Sequence, residues 1–380
     1  NGYKFMSNRT DAIGFVGGSQ VNNEECYQLI KMARALGVVF IDNQTRVCHA
    51  TTPPALNAAF GRGAMTGSWY NLKHAKMIWI EGSNMAECHP MAMKNVMEAK
   101  DNGAIIVHVD VRYTRTSRVA DHFFQLRPGT DIAFLGALIN YIIQNKKYDA
   151  DYLRRNTNAF CLLRDDFDFD AGIFSGYNEK TRTYNKETWG YKLDANGKPV
   201  KAPTMATKGT VMDHLARHFS RYTFEKASAI TGMPVADIKK AAELFSTITP
   251  TVMMYALGMT QHTIGVENIR CFTIIQLLMG NIGVSGGGID AMRGQPNVQS
   301  STDYGIMFQY YPAYLSYPTH VDDTLAKWTH HNGTFRAKFL KNLLKAWFGD
   351  AANASNDYMF NALPIRNGTH NDSMYIMFEK

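Results

Sequence analysis

Cys48 and His49 stand side by side in Thr45-Arg46-Val47-Cys48-His49-Ala50-Thr51-Thr52. A thiolate at this place serves as a nucleophile activated by histidine, or as a soft ligand for a metal. The plain alternative is a buried thiol beside an unrelated imidazole, because adjacent side chains need not touch. A second chemical segment runs from Gly283 to Gln299 and is rich in glycine up to Gly294. Its glycines allow close backbone approach. Arg293, enclosed by Gly294, Gln295 and Asn297, can present a planar fork to a carboxylate. The plain alternative here is a flexible loop with a solvated arginine.

Three further segments read as loops at strand ends, where open parallel sheets bind ligands. Glu81-Gly82-Ser83-Asn84-Met85-Ala86-Glu87 carries small and polar residues that let backbone N–H groups approach a phosphate. Asp110-Val111-Arg112-Tyr113-Thr114-Arg115-Thr116 offers an acid for ribose hydroxyls and arginines and threonines for phosphates. Arg127-Pro128-Gly129-Thr130-Asp131 opens a helix, and Asp131 can accept hydrogen bonds from a purine edge. Each alone is what ordinary turns and caps look like. Together they point to a nucleotide-like ligand, and the lack of G-x-G-x-x-G excludes the NAD fingerprint.

The elements that must position these residues alternate between strand and helix. Ala12–Val16 reads as a strand, Asn22 or Asn23 to Leu36 as a helix closed by Gly37, and Val38–Ile41 as a strand. Met77–Ile80, Pro90–Lys100, Ile105–Asp110 and Thr130–Gln144, with Thr130 as cap, repeat that order. Residues 156–206 break the periodicity and read as a surface insertion. Helices return at 211–227 and 234–247, then a strand at Val252–Leu257 and a helix at Glu267–Met279. The last is a basic amphipathic helix near Phe335–Phe348, with a face of Phe339, Leu343, Ala346 and Trp347. Such alternation predicts an α/β fold with a parallel sheet covered on both faces. The predicted division is one discontinuous lobe, 1–43 with 298–380, and a second lobe, 44–297.

Composition narrows the classes. Hydrophobic residues make up 45% and charged residues 19%, which excludes disordered and fibrous chains. The net charge of +7 comes without a dense basic run, so it fits a pocket for anionic ligands and not a nucleic-acid surface. The 5 Cys are scattered without a C-x-x-C pair, so no iron–sulfur or zinc ligand set is present. The apolar runs are too short to cross a bilayer. Asn1-Gly2-Tyr3-Lys4 has neither the basic start nor the apolar stretch of an export signal, nor an initiator Met.

Taken together, the segments resemble the molybdopterin oxidoreductase superfamily, and within it the catalytic (alpha) subunit of respiratory, membrane-associated formate dehydrogenases. The resemblance rests on Arg46-Val47-Cys48-His49, Phe60-Gly61-Arg62-Gly63-Ala64-Met65-Thr66, Asn84 with Glu87-Cys88-His89-Pro90, and Asp110 to Thr116. It continues through Arg127 to Ala133, Tyr255-Ala256-Leu257-Gly258-Met259-Thr260-Gln261-His262, and Gly287 to Gln299, in the family's order.

The resemblance implies that Cys48 ligates molybdenum or tungsten held by two pterin guanine dinucleotides. It implies that Arg293 orients formate and that His49 assists with charge or the proton. Asn84, Glu87, Asp110, Arg112, Thr114, Gly129 and Asp131 would line one dinucleotide, with Gly258, Gln261 and Gln295 near the pterins. The reaction implied is two-electron oxidation of formate to CO2, or its reverse. It further implies a periplasmic enzyme working with an iron–sulfur electron-transfer subunit and a membrane cytochrome subunit, without membrane insertion of its own. Such subunits also carry an N-terminal [4Fe–4S] domain and a C-terminal cap domain, neither of which these 380 residues contain. The expectation is therefore a piece of a longer subunit, inactive without its missing domains or partner chains, with the cluster on the missing region or on a partner. The competing expectation is a non-catalytic scaffold that keeps the fold.

Overall fold

The computed structural model describes residues 8–170 and 172–365. The opening segment through residue 7 and the end of the 298–380 stretch lie outside the described residues. The chain divides into two compact units, Asn1–Ala50 with Arg293–Lys380, and Thr51–Met292. The division therefore falls to the C-terminal side of His49 and ahead of Arg293. Cys48, His49, Arg293 and Gln295 belong to the discontinuous unit and not to a 44–297 lobe.

In the first unit, β1 (Thr10–Gly17) and β2 (Val38–Asn43) pair in parallel, with Gly14 opposite Phe40 and Val16 opposite Asp42. The helix Asn23–Ala35 joins them. Asn22 caps it by accepting from the Glu25 N–H at 2.8 Å while Glu25 accepts from the Asn22 N–H at 2.8 Å. Gly37 turns the chain back with φ +78°, where a side chain would also strike Asn8. Cys26, Ile30 and Ala33 bury against Val39 and Ile41. Arg34 is wholly buried there, donating to Val38 O and Met307 O at 3.0 Å each, with its guanidinium 4.4 Å from the Tyr317 ring centre.

The helix Ala337–Phe348 packs on the same core, but its buried stripe differs from the expected face. Leu340, Leu343, Leu344 and Trp347 are buried, at i, i+3, i+4 and i+7, while Phe339 and Ala346 are exposed. The larger apolar stripe won the core side.

In the second unit, β3 (Met77–Glu81), β4 (Ile105–Asp110), β5 (His122–Gln125), β6 (Thr251–Tyr255) and β7 (Gly288–Ala291) form one 5-stranded sheet. Its order is β7-β6-β3-β4-β5 and every pair is parallel. Met77, Trp79, Val107, Val109, Met253 and Tyr255 face one core with Phe134, Leu138 and Phe245. The alternate residues Ile78, Ile80, Ile106, Val252 and Met254 face another with Ala92, Met93 and Val96. Both faces are covered, which is why the strands read as continuous apolar runs.

Several elements depart from expectation. The strand β7 lies inside the glycine-rich stretch, where four residues are too few to show a period. The helix expected over 211–227 is two, Val211–Phe219 and Phe224–Thr231, because Thr223 caps the second by accepting from the Lys226 N–H. Thr130 does not cap the helix Asp131–Gln144; its hydroxyl donates to Arg127 O at 2.6 Å and closes the preceding turn instead. The 156–206 insertion carries short antiparallel hairpins, Phe169–Asp170 with Ile173–Phe174 and Tyr177–Asn178 with Thr183–Tyr184.

Candidate active site

Cys48 sits on a single helical turn, Thr45–Cys48, directly after β2. The last residues of β2 build that turn. Asn43 accepts from the Thr45 N–H and donates to Ile306 O, both at 2.8 Å. Asp42 pairs with Arg46 Nε at 3.1 Å, and Arg46 donates onward to Gln309 Oε1 at 3.1 Å. The Val47 and Cys48 N–H groups donate to Gln44 O, each at 3.1 Å. Burial pushes the Asp42 carboxyl up, and the Arg46 charge and hydrogen bond oppose it.

Cys48 and His49 are buried, whereas Val47 is 56% exposed. Burial pushes the Cys48 thiol up; the Gly294 backbone N–H and the Arg293 charge pull it down. The structure thus brings Cys48 together with Arg293 and Gly294, residues far apart in sequence. Around this turn several polar atoms are buried without a hydrogen-bond partner: Gln44 Nε2 and Oε1, Thr45 Oγ1 and Gln295 Oε1. Gln44 and Thr45 carry no signal in sequence beyond their nearness to Cys48.

The second unit assembles the other expected residues at the carboxyl ends of β3, β4, β5 and β6. Asn84 bonds Glu87 and accepts from the Thr116 hydroxyl at 3.1 Å, while that hydroxyl also accepts from the Ala86 N–H at 3.0 Å. Glu87 pairs with Arg115 at 3.3 Å. Asp110 accepts from the Val111 N–H at 2.7 Å, which folds the chain out of β4. Arg112 is exposed, and Thr114 caps the short helix Arg115–Val119. Gly258 lies against Gly82, donating its N–H to Gly82 O at 2.9 Å. Gly129 turns with φ +75°, and Gln261 is exposed at the end of the turn Leu257–Thr260.

Asp131 is buried with Oδ2 unpartnered, and burial pushes its carboxyl up against the opposing charge of His262. His262, quoted above only as part of a motif, is held by its Nε2 contact to Gly258 O at 2.8 Å.

Sequence reasoning missed a buried polar layer beneath these loops. Trp79 Nε1–H donates to Glu81 Oε2 at 2.8 Å, and Glu81 Oε1 has no partner. Burial, then the Asp131 charge, push the Glu81 carboxyl well above the usual range. His108 joins Ser117 Oγ at 2.8 Å and Ser83 O at 3.1 Å, and burial pushes its pKa down. His108 takes its partners from another loop and a short helix, and Trp79 and Glu81 are neighbours on β3 whose burial comes from the helices packed over the sheet.

Among the described residues no group of three or more His, Cys, Asp or Glu is placed to hold a metal ion. Among the described residues no helix is long and apolar enough to cross a membrane.

The chain is 43% identical over 387 residues to the formate dehydrogenase 2 subunit alpha (cytochrome c-553) of Nitratidesulfovibrio vulgaris, covering 97% of this chain and 38% of that protein. It is 42% identical to the formate dehydrogenase subunit alpha of Megalodesulfovibrio gigas, covering 88% of this chain and 35% of that protein. It is 41% identical to the nitrate-inducible formate dehydrogenase major subunit of Escherichia coli, covering 97% and 38%. The chain thus spans under two fifths of the length of these relatives. The family model for molybdopterin oxidoreductase matches residues 4–364. With a match across nearly its whole length, the chain belongs to the molybdopterin oxidoreductase family.

Proposed function

We propose that this chain is the central portion of a formate dehydrogenase catalytic subunit, which oxidises formate to CO2, a proton and two electrons. The observation that supports this most is the buried Cys48 thiol set against the Arg293 charge and the Gly294 N–H. Soft thiolate suits molybdenum or tungsten, and a lone protein ligand leaves room for a cofactor to supply the rest. Within the unit that carries Cys48, the unpartnered atoms of Gln44, Thr45 and Gln295 fit a polar cofactor that would satisfy them.

In this reading Cys48 holds the metal, and the bis(pterin guanine dinucleotide) cofactor supplies a centre able to accept two electrons. Asn84, Glu87, Asp110, Arg112, Thr114, Gly129 and Asp131 hold one dinucleotide, with Gly258, Gln261 and Gln295 beside the pterins. Arg293 binds the formate carboxylate through two parallel N–H donors, which fixes the direction of the C–H bond. His49 is fully buried, so its imidazole works away from bulk water. It takes the proton on a ring nitrogen as formate is oxidised, or stabilises the charge that develops.

The proposal extends to partners by the resemblance set out above: an iron–sulfur electron-transfer subunit and a membrane cytochrome subunit, in the periplasm. The deciding experiment is metal and pterin analysis of the full-length protein with formate-dependent dye reduction. Bound molybdenum or tungsten with formate turnover supports the reading. A folded full-length protein that carries neither metal nor pterin would mean a scaffold.

A further inference from the structure

We infer that Gln44, with Thr45, is a recognition element for the lactam edge of the pterin whose metal Cys48 ligates; this rests on the function proposed above. Gln44, Thr45 and Cys48 fall on one side of the same turn, at i, i+1 and i+4, while Val47 points outward and is 56% exposed. Thr45 is 8% exposed and its hydroxyl has no hydrogen-bond partner. Both polar atoms of the Gln44 carboxamide are buried and likewise without one. Buried polar atoms left so are costly, so a fold that keeps three of them on one turn points to a bound group that meets them.

The chemistry of the unmet atoms selects that group. Gln44 needs one acceptor for its N–H and one donor for its carbonyl oxygen. Formate offers only acceptors and would leave Gln44 Oε1 unsatisfied. A metal-bound oxygen or sulfur offers only one of the two. A cyclic amide presents a carbonyl and an N–H side by side, which a carboxamide meets with two parallel hydrogen bonds. The pterin ring carries such an edge. The Thr45 hydroxyl, able to donate and accept, meets an adjacent atom of the same ring. Backbone bonds leave the Gln44 side chain available for this, because the turn is held by Gln44 O and not by its carboxamide.

The test uses the full-length protein and reads pterin and metal per chain after purification and after a heat challenge, with pterin measured by fluorescence after oxidative release. Gln44→Leu removes both bonds; Gln44→Glu keeps the size and one acceptor. The expected result is a several-fold loss of retained pterin in Gln44→Leu and a smaller loss in Gln44→Glu, with Val47→Ala unchanged. Circular dichroism of each variant checks folding, and if Gln44→Leu fails to fold, Gln44→Glu alone decides. Wild-type retention in both folded variants overturns the inference while leaving the proposed function standing. Absence of pterin from the wild type overturns the proposed function itself.

Discussion

The Gly294 backbone N–H hydrogen-bonds the Cys48 sulfur, and the adjacent Arg293 charge acts on the same atom. Both favour a thiolate, yet burial opposes them and is the larger influence. The net effect of these surroundings is to raise the thiol's pKa. Replacing Cys48 with Ala should leave the turn folded, since Asn43, Asp42 and Arg46 hold it, but should abolish its hold on the metal. Loss of formate turnover of at least about 100-fold is expected, beyond the 10–100-fold typical of losing an outer-shell partner. Elemental analysis alongside turnover checks this, and full activity in Cys48→Ala would sink the ligand assignment.

Arg293 gives a prediction of a different kind. A guanidinium binds a carboxylate through two parallel donors, and lysine cannot reproduce that geometry. Arg293→Lys keeps the charge that acts on Cys48 while losing the fork. The KM for formate should rise roughly 10–100-fold, equivalent to about 1.5–3 kcal/mol for a charged hydrogen bond. Steady-state kinetics at saturating dye separate this from a change in kcat. An unchanged KM would remove Arg293 from substrate binding.

How far the sequence carried is instructive in particular places. The pairs of strand and helix around Cys48 and around Asp110 were readable because hydrophobic period and caps coincide, as at Asn22 and Gly37. The β7 strand was not, because Gly288–Ala291 borrows its partner from Thr251–Tyr255 and has no pattern of its own. Cys48 and Arg293 were readable as motif residues, but their pairing was not, since it depends on a return of the chain after Met292. The His108–Ser117 bond joins two segments in the same way, and the Trp79–Glu81 bond, though local to β3, matters only because the packed sheet buries it. Tertiary pairing decides which polar residues are buried, and no linear spacing encodes it.

Gly258 and Gly82 offer a test of how the strand ends are held. A Cβ on Gly258 would fall 2.5 Å from Gly82 Cα and 2.7 Å from Gly82 O, both backbone atoms that cannot swing aside. Gly258→Ala should force the two loops apart, costing about 1–3 kcal/mol as overpacking does. Gly18→Ala is the control, because nothing lies within 4 Å of its Cβ position. Thermal melting of the two variants checks this, and equal melting temperatures would mean the loops do not touch as described.

Asp290 on β7 sets a pH dependence with a definite sign. Burial pushes its carboxyl up from the ordinary 3.8 to about 6, with the Gly67 N–H opposing. The folded protein therefore holds this proton more tightly than the unfolded chain does. The resulting stabilisation is fully present below about pH 4 and is lost as pH rises through about 6. At about 1.4 kcal/mol per pH unit, the loss on going from pH 4 to pH 8 is ~3 kcal/mol. Asp290→Asn keeps the shape and the acceptor but cannot ionise. Its stability relative to the wild type should climb between pH 4 and 6 and then level off. Denaturant unfolding across that range checks the difference directly, which removes the contribution of other carboxylates. A difference that stays flat with pH would show that Asp290 ionises as it does in water, and its burial on β7 would then be wrong.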